Sequence, residues 1–113
     1  MTTLISREEL QAAINTGTVT VIDALPESNY VQQHLPGALN LVEADVAERA
    51  ATVAPDRAAP IVTYCSNAAC GNSQAVASKL ENLDYTDVRK YRDGIQDWAE
   101  AGLPVESGLP AAR

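Results

Sequence analysis

The sequence predicts an α/β domain with a central, mostly parallel sheet and helices on both faces, and three observations carry that prediction. Short apolar runs rich in β-branched residues, at 19–23, 61–65 and 88–91, alternate with segments whose apolar residues recur at helical spacing. The run Val19-Thr20-Val21-Ile22-Asp23 is mostly apolar at successive positions, which suits a strand covered on both faces. A chain of 113 residues is long enough for one such core and too short for two.

The elements follow in order. Ser6 with Glu9 three positions on is a capping-box pattern, and Leu10, Ala13 and Ile14 extend a first helix to Gly17. After the strand at 19–23, Pro26 and Glu27 open a short helical piece through Gln33, and His34-Leu35-Pro36-Gly37-Ala38 is turn chemistry leading into Leu39-Asn40-Leu41. An alanine-rich amphipathic stretch runs over 43–53 and stops near Pro55, with 56–60 as a connector. Ile61-Val62-Thr63-Tyr64-Cys65 is the next strand, and a helix from near Ser73 sets Ala75, Val76, Ala77, Leu80 and Leu83 on one face. Asp84-Tyr85-Thr86 turns the chain, 88–91 is a short strand, and 95–101 is a last helix before Gly102 and Pro104. Residues 1–106 form the expected domain, with 107–113 as a loose tail and no internal repeat.

The net charge of −7 argues against a nucleic acid or an anionic membrane as partner, since either calls for a basic patch. No segment approaches a membrane span, and 1–7 lacks the charged and then apolar stretches of a secretory signal, so a soluble, cytoplasmic protein is the expectation. Two cysteines five positions apart are not the disulfide framework of a secreted protein. They also fall short of a zinc site, because His34 is distant and a fourth ligand is lacking; no metal or organic cofactor is expected.

Cys65 is the candidate for chemistry. Ligand sites in parallel α/β sheets lie beyond the carboxyl ends of the strands, where Cys65 stands. Ser66, Asn67, Ala68, Ala69, Cys70, Gly71 and Asn72 then form a loop of small residues before a helix. Such a loop can turn amide N–H groups toward the sulfur, and the helix terminus adds partial positive charge. A thiolate held that way has a lowered pKa and is nucleophilic at neutral pH. The competing reading is a buried cysteine acting as a small hydrophobe.

Three stretches together carry a resemblance: Val21-Ile22-Asp23 with Tyr30 and 34–40; Ile61-Val62-Thr63-Tyr64-Cys65; and Tyr91-Arg92-Asp93-Gly94 with Trp98 and 101–105. Over about residues 4–106 the chain resembles a single-domain rhodanese, a sulfurtransferase-type module. The resemblance implies that Cys65 takes the outer sulfur of a donor such as thiosulfate, holds it as a persulfide and passes it to a thiol or other nucleophilic acceptor. The loop 66–72 would bind the substrate. The implied partners are a small sulfur donor and a thiol or protein acceptor, with the chain a monomer or homodimer.

The chain departs from the family pattern in the loop. Many relatives carry an arginine there to neutralise an anionic donor, whereas nothing between Cys65 and Gln74 is charged. The loop is also longer than the commonest form, Leu25 replaces an arginine after the first strand's aspartate, and Gln33 and Asp93 replace glycines. These departures favour a neutral donor or a protein persulfide over thiosulfate. The longer loop is similar to those of related phosphatase and arsenate-reductase modules, but Gly71 stands where their oxyanion-clamping arginine belongs.

Cys70 reads either as a second thiol that attacks a persulfide on Cys65 or pairs with it as a sensor, or as a small side chain lining the loop. His34 reads as a structural hydrogen-bonding residue of its turn rather than a general base. Asp23 either orients loop amides or caps the following helix, the latter being preferred. Trp98 and Tyr91 read as packing of the last helix, and Gly71 and Gly94 as backbone positions that a side chain would obstruct. Arg89, Lys90 and Arg92 form the one local concentration of positive charge, which reads as a solvated rim, with docking of an acidic partner or guidance of an anion to the mouth as the alternatives. The alternative to an enzyme is a binding or redox-sensing module of the same fold that uses the Cys65/Cys70 loop without turnover.

Overall fold

The computed structural model describes residues 2–108. Its strands are β1 (Thr3–Leu4), β2 (Thr20–Asp23), β3 (Leu39–Asn40), β4 (Ile61–Tyr64) and β5 (Val88–Tyr91), in the sheet order β1-β5-β4-β2-β3. Every pairing among them is parallel. The helices are α1 (Arg7–Thr16), α2 (Glu27–Gln32), α3 (Val46–Val53), α4 (Asn72–Asn82) and α5 (Gly94–Glu100), with a 3₁₀ turn at Glu43–Asp45 leading into α3.

Local chemistry explains the helix ends that position the site. Ser6 accepts from the Glu9 amide while the Glu9 carboxylate accepts from the Ser6 amide, so the capping box expected for α1 is complete. Gly17 closes α1 in the left-handed region at φ 68° and sends its own N–H back to Ala13 and Ile14.

The side-chain alternation of the strands builds two apolar layers. On one face Val21, Val62, Tyr64 and Tyr91 pack with Leu10, Tyr30, Leu35, Ile95 and Trp98, and Cys65 belongs to this cluster. On the other face Ile22, Ile61 and Val88 pack with Val46, Ala50, Val76, Ala77 and Leu80. Both faces of the sheet are therefore covered, as parallel sheets require.

The register aligns Asp23 with Tyr64 and Tyr64 with Tyr91, so β2, β4 and β5 end level and Cys65 lies one residue beyond the central strand. The two-residue β1 was not anticipated. It lies at the sheet edge and is exposed, so it carries no apolar alternation to betray it. The end of the expected domain is held by backbone hydrogen bonds of 2.8 Å exchanged between His34 and Glu106, and at the start of the expected tail the Gly108 N–H donates to Val31 O at 2.7 Å. The remainder of that tail, 109–113, lies outside the described residues.

Candidate active site around Cys65

Cys65 stands at the carboxyl end of the central strand, and the chain around it is held from two sides. The Cys65 carbonyl accepts from the Ile95 N–H at 2.9 Å and the Ser66 carbonyl from the Gln96 N–H at 3.0 Å, so the first turn of α5 carries the start of the loop. This is possible only because residue 94 is glycine. At φ +72° it lies in the left-handed region, and a β-carbon there would sit 2.5 Å from Cys65 O and 2.6 Å from the Ser66 carbonyl atoms. From the strand side, the Thr63 hydroxyl donates to Ser73 O at 3.1 Å and the Asn72 amide group to Ala24 O at 3.3 Å.

Within the loop, Asn67 makes the turn. Its backbone carbonyl accepts from the Cys70 N–H at 3.1 Å, and its side-chain oxygen accepts from the Ala69 N–H at 3.0 Å. Its amide nitrogen donates to Gln96 Oε1 at 3.1 Å. Ala68 and Ala69 form the exposed tip, where with Asn67, Asp93, Gln96, Asp97 and Glu100 they line an open crevice of about 380 Å³. Asn72 opens α4, preceded by Gly71. Gly71 does not bear out its expectation: at φ −91° it is in an ordinary helical conformation, with nothing within 4 Å of where a β-carbon would be.

The expected Cys65 thiolate is also corrected. Cys65 is 1% exposed, and its thiol donates to Cys70 O at 3.4 Å and approaches Ser73 Oγ at 3.5 Å. Burial pushes its pKa up, and the hydrogen bond to Cys70 pushes the same way, against the opposing Ser73 amide and hydroxyl. The raised pKa favours the neutral thiol at Cys65 in the resting protein. The expected amides divide between the two thiols: that of Ser73, at the start of α4, reaches Cys65, whereas those of Asn72 and Ser66 reach Cys70. Cys70 is half-buried against the same apolar cluster. Its burial raises its pKa, but the hydrogen bond from Cys65, the Asn72 and Ser66 amides and the Ser66 hydroxyl together outweigh that and bring the net shift below the ordinary thiol value.

Asp23 touches neither the loop amides nor a helix cap. It is fully buried, accepting from Leu25 N at 2.8 Å and from the Tyr64 hydroxyl at 2.8 Å, while that hydroxyl accepts from Leu35 N at 3.0 Å. Burial pushes the Asp23 carboxyl up, and the hydrogen bonds and His34 only partly oppose it. His34 is structural as expected: its ring stacks on Tyr30 at 3.9 Å and its Nδ1 bonds Tyr30 O at 2.7 Å. Trp98 packs edge-on to Tyr91 and donates to Pro104 O at 2.8 Å.

The basic residues near β5 are largely engaged, Lys90 with Gln74 and Arg89 with Asp87. Gly94 bears out its expectation as a backbone position that a side chain would obstruct, whereas Ile95, which donates to Cys65 O, is a site-building residue whose part the sequence did not disclose. Among the described residues no cluster of side chains could hold a metal ion, and no helix is long and apolar enough to cross a membrane.

The family model for the rhodanese-like domain matches residues 6–101. An HTH-type transcriptional regulator of Mycobacterium tuberculosis is 37% identical over 94% of this chain, which spans 46% of that regulator's length. The thiosulfate sulfurtransferase PspE of Escherichia coli is 36% identical over 69% of this chain and 72% of its own. A Bacillus halodurans crystal structure superposes with a TM-score of 0.84 at 24% identity, covering 99% of this chain and 82% of that one. The parallel sheet with Cys65 beyond its central strand, the extent of the family match and the likeness to PspE lead to one conclusion: the chain belongs to the rhodanese-like domain family.

Proposed function

We propose that this chain is a sulfurtransferase that moves a sulfane sulfur from a donor to a thiol acceptor through a persulfide on Cys65. The observation that carries the reading is the placement of Cys65 at the mouth of the sheet, with the Ser73 N–H beside its sulfur and the Ser73 hydroxyl, which accepts from the resting thiol at 3.5 Å, free to rotate and donate once the thiol ionises. These are groups that stabilise a thiolate, or the terminal sulfur of a persulfide, once the proton has left. Because the resting thiol is neutral and covered, the Cys70 carbonyl must move aside and the Cys65 proton must pass to solvent before attack. The thiolate then bonds to the outer sulfur of the donor, and the bond to the inner atom breaks. A thiol persulfide leaves as the thiolate, and thiosulfate as sulfite. A second thiolate removes the outer sulfur and restores Cys65.

The donor favoured here is a thiol persulfide. The loop carries no cation, and Asp93 and Glu100 border the crevice beside it, with Asp97 paired to Arg7, a field that disfavours a dianion. The acceptor is a small thiol or a protein thiol, and the chain acts in the cytoplasm as a monomer or homodimer. The test is mass spectrometry after incubation with a thiol persulfide or with thiosulfate. One added sulfur on Cys65, removed by an acceptor thiol and absent from Cys65→Ser, is the expected result. Undiminished sulfur transfer by Cys65→Ser removes the proposal, and faster loading from thiosulfate removes the donor preference.

The transcriptional regulator aligned over nearly the whole chain favours a second reading, a module that senses sulfur or redox state without turnover. Stoichiometric loading of Cys65 with no transfer to any thiol supplied supports that reading over the enzyme.

A further inference from the structure

We propose that Cys70 is a second reacting thiol of this site, which attacks a Cys65 persulfide, closes a Cys65–Cys70 disulfide and expels hydrosulfide. The proposal rests on the Cys65 persulfide argued above.

The turn at Asn67 folds residue 70 back over residue 65, held by the Cys70 N–H on Asn67 O at 3.1 Å and the Ala69 N–H on Asn67 Oδ1 at 3.0 Å. The Cys65 thiol donates to the Cys70 carbonyl at 3.4 Å, which sets the two cysteines against each other. Both side chains pack in one apolar cluster. Against its burial, the hydrogen bond from Cys65 and the Ser66 and Asn72 amides hold the Cys70 thiol below the ordinary thiol pKa. An outside acceptor must enter a site where Cys65 is 1% exposed, whereas Cys70 is already inside it.

The step balances without any further oxidant. The Cys70 thiolate attacks the Cys65 sulfur, a bond forms between the two cysteine sulfurs, and the bond to the outer sulfur breaks. That outer sulfur leaves as hydrosulfide with its electron pair and its proton. The sulfane sulfur is reduced, and the two thiols are oxidised to a disulfide. An external dithiol reductant then reopens the pair by thiol–disulfide exchange. A domain working this way releases sulfide and stops as a disulfide when reductant is scarce.

The experiment loads the full chain and its Cys70→Ser and Cys70→Ala variants with a thiol persulfide, removes the donor, and follows intact mass and released sulfide without added thiol. The expected result is a short-lived added sulfur in the parent, one sulfide released per loaded chain, and a peptide pair joined through Cys65 and Cys70. In both variants the persulfide should last on the order of tenfold longer or more, because a neighbouring nucleophile acts at high effective concentration. Two variants are used so that a packing effect of one replacement is not mistaken for loss of the thiol. Equal persulfide lifetimes in parent and variants overturn the proposal and leave the sulfurtransferase reading intact. No added sulfur on any of the three proteins removes both.

Discussion

Replacing Gly94 with alanine tests whether α5 sets the position of the Cys65 backbone. A non-glycine residue at φ +72° carries about 1–2 kcal/mol of backbone strain. The new β-carbon would also lie 2.5 Å from Cys65 O and 2.6 Å from the Ser66 carbonyl, and overpacking of this kind costs about 1–3 kcal/mol. The obstructing atoms are backbone, so no rotamer change relieves them. Retreat must stretch the hydrogen bonds from Ile95 N to Cys65 O and from Gln96 N to Ser66 O.

The sum is about 2–5 kcal/mol, a large share of the roughly 5–15 kcal/mol typical of a domain. Urea denaturation should show the midpoint falling at an unchanged m-value, and the folded variant should take up sulfur on Cys65 more slowly. Gly71→Ala is the control, since residue 71 has φ −91° and open space, and it should stay within about 0.5 kcal/mol of the parent. A Gly94→Ala protein as stable as that control, with unaltered sulfur uptake, would refute the argument that close backbone approach places the loop.

Tyr64→Phe removes the hydroxyl that donates to Asp23 and accepts from Leu35 N, leaving two buried groups short of a partner; a loss of about 1–3 kcal/mol in urea denaturation is expected, and a neutral effect would contradict it. Because burial raises the Asp23 carboxyl above its unfolded value, the native state holds that proton longer. The Asp23 contribution is therefore present below the unfolded pKa and is lost as pH rises through the folded one. Asp23→Asn should flatten this component of the stability profile above about pH 4, and an unchanged profile argues against a raised carboxyl there. Under limiting iodoacetamide near neutral pH, Cys70 should be alkylated before Cys65, since it is the more exposed thiol and the one with the lowered pKa. Peptide mapping that finds Cys65 modified first would reverse the assignment of protonation states.

Much of the fold is legible along the chain because its signals are local. The Ser6/Glu9 box and Gly17 bound α1 with no help from the rest of the molecule. The same holds for the strands ending near Asp23, Cys65 and Tyr91, each a short apolar run stopped by turn chemistry. The edge strand β1 escaped because two exposed residues carry no period. Asp23 was misassigned because its partners, Tyr64 across the sheet and Leu25 in a tight turn, do not form the spacing of a helix cap.

By itself, then, the sequence determined the succession of elements, the family, and the delivery of one cysteine to the end of a buried strand, since each follows from short-range pattern or from residues quoted in order. Only the tertiary structure decided what surrounds that sulfur. Desolvation keeps Cys65 protonated, the loop's fold-back brings Cys70 into the amide cradle, and a glycine from α5 sets the backbone between them. The physical reason is that burial and close approach depend on groups far apart in the chain, so the same loop residues could present either sulfur to the amides until packing selects one.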